Sequence, residues 1–197
     1  GSMRVLDILA NASATIAEGE VLQLTAAADL ATTEEIYFKV VRGKTAALFS
    51  AAMEVGGVIA DQDEATVKAL FDYGDTLGVA FQIVDDLLDY GGTAATGKNI
   101  GDDFRERKLT LPVIRAIAAA DDTERDFWAR TIGKGRQEDG DLDHAIALLG
   151  KHGTMDTTRQ TALDYVAQAK AALAVLPDSD IREMLIDLAD YVVARIT

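Results

Sequence analysis

Cysteine is absent from the 197 residues, so neither a disulfide framework nor thiolate chemistry is available, and a reducing, cytoplasmic setting fits. Proline is almost absent as well, with two in the whole chain. No apolar stretch approaches the roughly 20 residues that a membrane span needs, and no signal peptide is visible. No basic stripe offsets the formal net charge of −14, which argues against a nucleic-acid partner. Strand-like alternation never lasts beyond a few residues.

What is present is apolar residues at helical spacing nearly everywhere, with alanine and leucine abundant and 49% of residues hydrophobic. The expectation is a single all-α domain over 1–197. The opening, "GSMRVLDILANASATIAEGE", is helical in pattern from Arg4 with no capping stretch before it. Gly1 to Met3 read either as a cloning remnant or as internal residues of a longer chain. A first helix is predicted to about Asp29. A second follows, with Thr33 as N-cap and Glu34 and Glu35 in its first turn. The third spans "DQDEATVKALFDYGDTLGVAFQIVDDLLDY" and is broken by the loop "GGTAATGKNIGDD". A shorter helix is predicted near Leu111, with Pro112 in its first turn. Four more are expected near 122–133, 141–150, 156–175 and 178–196.

The chemistry concentrates in "FQIVDDLLDYGG", residues 81–92. At about 100° per residue, Gln82, Asp85, Asp86 and Asp89 share one narrow arc. Asp75 and Gly78 continue the stripe, and small Gly78 is expected to leave space above it. Leu77, Phe81, Val84, Leu87 and Leu88 take the opposite side and supply the core contact. Aspartate is a poor helix former, and like charges at these spacings repel unless a cation lies between them. Magnesium would relieve that repulsion, typically through one or two carboxylates plus waters and substrate phosphates. Spacing alone leaves metal binding and a plain solvated face both open. Lysines nearby favour the first: Lys98, Asp102, Asp103, Arg105, Arg107 and Lys108 follow, and Arg42, Lys44 and Thr45 precede. Carboxylates holding a divalent cation, with lysines converging on them, describe a diphosphate site.

These residues carry a family resemblance. "FQIVDDLLDY" with "GKNIGDD" and "KLTLP" closely resembles the second aspartate-rich region of trans-isoprenyl (polyprenyl) diphosphate synthases. "GEVLQL" and "RGKTAALF" match two earlier blocks in the right order, and "DYVAQAKAALAVLP" and "LIDLADYVVARIT" are similar to the C-terminal helices. The nearest likeness is to the long-chain type that makes quinone side chains, such as octaprenyl and decaprenyl diphosphate synthases. The resemblance implies an isoprenoid-synthase-type helical bundle and magnesium-dependent head-to-tail prenyl transfer. An allylic diphosphate would ionise, and isopentenyl diphosphate would add to it.

Residue by residue, the resemblance implies Asp85 as principal metal ligand, helped by Asp86 and Asp89, with Asp103 supporting metal-bound water. It implies Lys44 and Lys98 on the allylic diphosphate and Lys108 at the site's edge. Thr45 and Gln82 would line it near the reacting carbon, and Glu20 and Gln23 would line the cavity. Arg107 stands where the family often has glycine. A homodimer is expected, with Leu6, Leu9 and Ile16 of the first helix available to its interface. The family's first aspartate-rich motif is not found between Gly1 and Glu18, and "DD" occurs elsewhere only at 102–103 and 121–122. The expectation is a C-terminal portion lacking its N-terminal helices and inactive alone. The alternative is a non-catalytic short or regulatory subunit of a heteromeric synthase. Terpene cyclases share the fold and the metal, but their second motif mixes Asn, Ser or Thr and Glu, which "DDLLD" does not.

Overall fold

The computed structural model describes residues 1–91 and 100–196. Among them every regular element is helical. Ten α-helices run α1 Met3–Ala26, α2 Glu34–Val41, α3 Ala47–Ile59, α4 Glu64–Gly91, α5 Asp102–Arg105, α6 Leu111–Ala119, α7 Asp122–Trp128, α8 Asp141–Lys151, α9 Thr154–Ala172 and α10 Asp180–Val193. Wider π turns follow α2 (Arg42–Ala46) and α7 (Ala129–Gly133), and a short 3₁₀ turn follows α9.

The helix ends follow from local chemistry. Thr33 accepts from the Ile36 N–H at the start of α2, as expected, with Glu34 and Glu35 beside the positive helix end. Asp121 and Glu124 form a reciprocal capping box on α7. Pro112 sits in the first turn of α6, where its missing N–H leaves nothing unpaired. One expectation needs correcting: α1 does have a cap, because Ser2 accepts from the Val5 N–H at 3.4 Å. A second is refined, since the helix predicted to follow the Thr33 cap is interrupted by the π turn at Arg42–Ala46. A third is added: α5 is a single turn within the stretch expected to be loop.

Helix α4 is the axis of the molecule. It packs mainly against α3 on one side and α9 on another. Its buried residues include Tyr73, Leu77, Val79, Ala80, Ile83, Val84 and Leu87, so it is apolar around most of its circumference rather than on one face. These side chains join Leu111, Val166 and Val192 in one core. A second core gathers Phe104, Val113, Trp128, Ile132 and Leu149 from α5–α8.

Backbone contact at glycines sets how closely the helices approach. A Cβ on Gly78 would lie 2.6 Å from the Ala46 Cα, and one on Gly74 would lie 2.6 Å from the Phe49 carbonyl oxygen. The space expected above the carboxylate stripe at Gly78 is therefore filled, because the π turn rests directly on it. Asp75 is likewise drawn out of the stripe by a salt bridge to Arg42. On the far side of the π turn, a Cβ on Gly19 would lie 2.6 Å from the Lys44 N, so α1 also touches it backbone to backbone.

Gly78→Ala should therefore lower unfolding stability by about 1–3 kcal/mol, the range for overpacking a filled contact. Gly56→Ala is the counterpart, because its Cβ would meet nothing within 4 Å. It should raise stability by about 0.5–1 kcal/mol through helix propensity alone. Urea unfolding of both variants checks the pair, and equal effects would remove the close-packing argument.

Candidate active site

The C-terminal half of α4, the π turn, α2, the end of α1 and the segment from Asp103 to Thr110 enclose a cavity of about 280 Å³. Lys44, Thr45, Gln82, Asp85, Asp86, Asp103 and Lys108 line it, with Gln23 and Tyr37. Residues separated by more than 60 positions are thus brought together, and all but Tyr37 are among those the sequence pointed to, whereas Asp75 and Asp89 of the stripe do not line the cavity.

Asp86 is the centre of the arrangement. It is only 3% exposed, yet both carboxylate oxygens are satisfied. Tyr37 Oη donates to Oδ2 at 2.6 Å and Gln82 Nε2 donates to Oδ1 at 2.8 Å. Gln82 is itself oriented by Thr45, whose hydroxyl donates to Oε1 at 2.9 Å. Burial pushes the Asp86 carboxyl up to about 7, with Asp103 and Asp85 adding to the rise and the two hydrogen bonds opposing it. Burial likewise pushes the Tyr37 phenol well above its ordinary value, and the Asp86 charge reinforces this.

Asp89, one turn on, faces elsewhere. It accepts from the backbone N–H groups of Asp102 and Asp103, both at 3.1 Å, and so ties α4 to the start of α5. It does not line the cavity. Burial and the Asp103 charge push its carboxyl up to about 6, against the pull of those two N–H groups. Asp103 in turn accepts from Lys108 Nζ at 3.0 Å. Burial draws the Lys108 ammonium down, but its pairs with Glu106 and Asp103 outweigh that and hold it above the usual lysine range.

Lys44 leaves the π turn towards α1, where its ammonium donates to Gln23 Oε1 at 2.7 Å and lies 3.1 Å from Glu20. A π turn carries one residue more than an α turn, and such insertions recur at functional sites. Here it brings the adjacent Lys44 and Thr45 both to the cavity wall. Glu20 reaches the site only through Lys44. Lys98, the remaining sequence-predicted residue, lies outside the described residues.

A model of the family described as "Polyprenyl synthetase" matches residues 1–149 of the chain. The chain belongs to the polyprenyl synthetase family.

Its relatives within that family are similar over nearly its whole length. Octaprenyl diphosphate synthase of Escherichia coli is 42% identical over 99% of this chain and 60% of its own. A decaprenyl diphosphate synthase from Rhodobacter capsulatus superposes with a TM-score of 0.96 at 68% identity, covering 100% of this chain and 61% of that one. A polyprenyl synthase from Caulobacter crescentus, solved with calcium and isoprenyl diphosphate, gives 0.94 at 50% identity over 100% and 60% of the two chains. The chain therefore spans about 60% of the length of the relatives it matches. Among the described residues, no helix is long and apolar enough to cross a membrane.

Asp85, Asp86 and Asp103 bring carboxylate oxygen to the lining of this cavity, the donor type a hard divalent cation takes, with both Asp86 oxygens engaged by Tyr37 and Gln82 and Asp103 paired with Lys108. Among the described residues no three acidic or histidine side chains are close enough to hold an ion by themselves. Tyr37, which secures Asp86, escaped the sequence reading. It lies 49 positions from its partner, and nothing in local spacing marks it.

The raised Asp86 carboxyl has a definite pH signature. The folded chain keeps this proton up to about pH 7, whereas the unfolded chain releases it near pH 4. Its stabilising contribution is full below about pH 4 and is lost as pH rises towards 7. In metal-free buffer, unfolding free energy measured relative to Asp86→Asn should fall across that window by at most about 1.4 kcal/mol per pH unit. A flat difference would mean that Asp86 is ionised throughout.

Proposed function

We propose that this chain supplies one wall of a magnesium-dependent trans-polyprenyl diphosphate synthase. That wall grips the allylic diphosphate to which isopentenyl diphosphate adds. The observation that carries the reading is the cavity itself: a hydrogen-bonded, buried Asp86 beside Asp85 and Asp103, with Lys44 and Lys108 on the same wall. The calcium and isoprenyl diphosphate named for the Caulobacter relative support it.

Head-to-tail transfer breaks the allylic carbon–oxygen bond, and the electron pair leaves with the diphosphate. The double bond of isopentenyl diphosphate then attacks the allylic carbon, and a proton is lost from the adduct. Charge develops on the departing diphosphate, so stabilisation must be aimed there. Magnesium, when bound, supplies Lewis-acid neutralisation of that charge. Asp85 would be the principal carboxylate to hold it and Asp86 the second. Asp103 would help hold it through water, and Asp89 contributes by fixing α5. Lys44, Lys98 and Lys108 neutralise the remaining phosphate charge. Thr45 and Gln82 set the orientation of the site near the reacting carbon. Ala26, Ala27, Val40, Val41 and Leu109 give the cavity its apolar remainder, which suits a hydrocarbon substituent.

The product class favoured is a long-chain polyprenyl diphosphate, by similarity to the octaprenyl and decaprenyl synthases. A homodimer fits α1, where Leu6 is 59% exposed, Val21 61% and Leu24 76%, an apolar face suited to burial. The sequence holds one aspartate-rich helix where two opposing metal-binding faces are required, so the 197-residue chain is expected to bind diphosphate but not to transfer.

Calorimetric titration of magnesium and inorganic pyrophosphate into the chain should give saturable heat that Asp85→Ala abolishes. In a chain of the relatives' full length, Asp85→Ala should cut transfer of radiolabelled isopentenyl diphosphate by about 10²–10³-fold or more. Undiminished binding and transfer in that variant would sink the reading.

A further inference from the structure

Helix α5 is the least self-sufficient part of the cavity wall. Four residues make barely one turn, and so short a helix has no stability of its own in water. Yet it carries Asp103, and the strand of backbone leaving it carries Lys108. The Phe104 ring, 2% exposed, fixes its depth against the second core. Asp89 holds its first end. Its other end is closed by the Arg107 N–H on the Phe104 carbonyl at 3.0 Å and the Lys108 N–H on the Asp103 carbonyl at 2.9 Å, bonds that hold the turn together without tying it to the rest of the molecule.

The far end is held by a residue 33 positions away. Gln137 Nε2 donates to the Phe104 carbonyl at 2.8 Å and to the Thr131 carbonyl at 3.3 Å, which uses both hydrogens of the amide. Gln137 stands in the connector between the second π turn and α8, and both its neighbours are secured. Arg130 donates to the Arg136 carbonyl at 2.8 Å while gripping Asp141 through two bonds of 2.8 and 2.7 Å. Asp141 also accepts from the Glu138 N–H at 2.7 Å. A second contact joins the same two segments. Arg107, in the left-handed region at φ 59°, lays its guanidinium over Gly135, where a Cβ would come within 2.9 Å of Nη1.

Resting on the function proposed above, we propose that Gln137 is a positioning residue for the diphosphate wall. By fixing the Phe104 carbonyl it sets the rotation of α5, and with it the reach of Lys108 and Asp103 into the cavity. Gln137 does not itself line the cavity and touches no reacting group. Its role needs an amide: alanine removes both donors, and glutamate sets a carboxylate against two carbonyls.

The test is calorimetric titration of magnesium and inorganic pyrophosphate into the whole chain. Gln137→Ala and Gln137→Glu should weaken pyrophosphate affinity about fivefold to tenfold. In a Lys108→Ala, Asp103→Asn background the same Gln137→Ala change should cost less than about twofold in whatever affinity remains, because both groups it positions are gone, and in Lys108→Ala alone its cost should shrink. Val193→Ala, which softens the distant α10 packing, should lower the melting temperature and leave affinity unchanged. The proposal is overturned if Gln137→Ala binds like the unmodified chain, or loses the same factor whether Lys108 and Asp103 are present or replaced. If the unmodified chain binds no pyrophosphate, the proposed function falls and takes this with it. Binding by the unmodified chain with Gln137 variants indistinguishable from it sinks this inference alone.

Discussion

A carboxyl group sealed into the flank of the longest helix is the constraint around which the cavity is built. An isolated buried carboxylate is costly, and Asp86 is tolerable only because a phenol from α2 and an amide from its own helix satisfy it. Each of those partners has requirements of its own. Tyr37 has to be on a helix crossing α4 at this height, and Gln82 has to be turned by Thr45, which requires the π turn. The site is therefore a chain of dependencies rather than a set of residues that happen to face one space. Its resting state is charge-poor at the centre and charge-rich at the rim, where Lys44, Asp103 and Lys108 remain paired with neighbours. On the proposed function, those ion pairs are what a diphosphate and its cation would exchange for contacts of their own.

Small residues supply the other half of the explanation. Lys44 and Thr45 can reach the same wall as Asp85 only if the π turn lies against α4 at backbone distance. Gly78 and Ala46 permit that on one side, and Gly19 and Gly43 on the other. Larger side chains at these positions would keep the same helices and the same charged residues but hold them too far apart to act together. Precision of this kind comes from packing rather than from polar contacts, which form once the backbones are in place.

Much of this was legible in the sequence because helical geometry is periodic. Gln82, Asp85 and Asp86 fall on one arc for a reason that needs only the 3.6-residue repeat, and the lysines flanking them are visible as charge. Tyr37 was not legible, since its importance lies in a contact across 49 positions. Asp75 and Asp89 share the arc of the others but not their fate. Arg42 captures the first and the backbone of α5 the second, and periodicity does not reveal which neighbour arrives. The π turn escaped because its composition is that of an ordinary helix. Gly78 was recognised as small, but a small residue admits either open space or another backbone, and only the fold decides.

The second core has a practical consequence. Trp128, the chain's one tryptophan, is 1% exposed and packs edge-on to Phe127 at 5.0 Å, in the same cluster as Phe104. Its indole is thus an intrinsic fluorophore in the cluster that also holds Phe104, the neighbour of Asp103 in α5. Emission wavelength reads the polarity of that cluster without competing signals from a second indole. Because the sequence also has no cysteine, a thiol introduced at an exposed position would be the molecule's sole site for a dye. Energy transfer from Trp128 to such an acceptor turns the region under the cavity wall into a ruler that needs no further engineering.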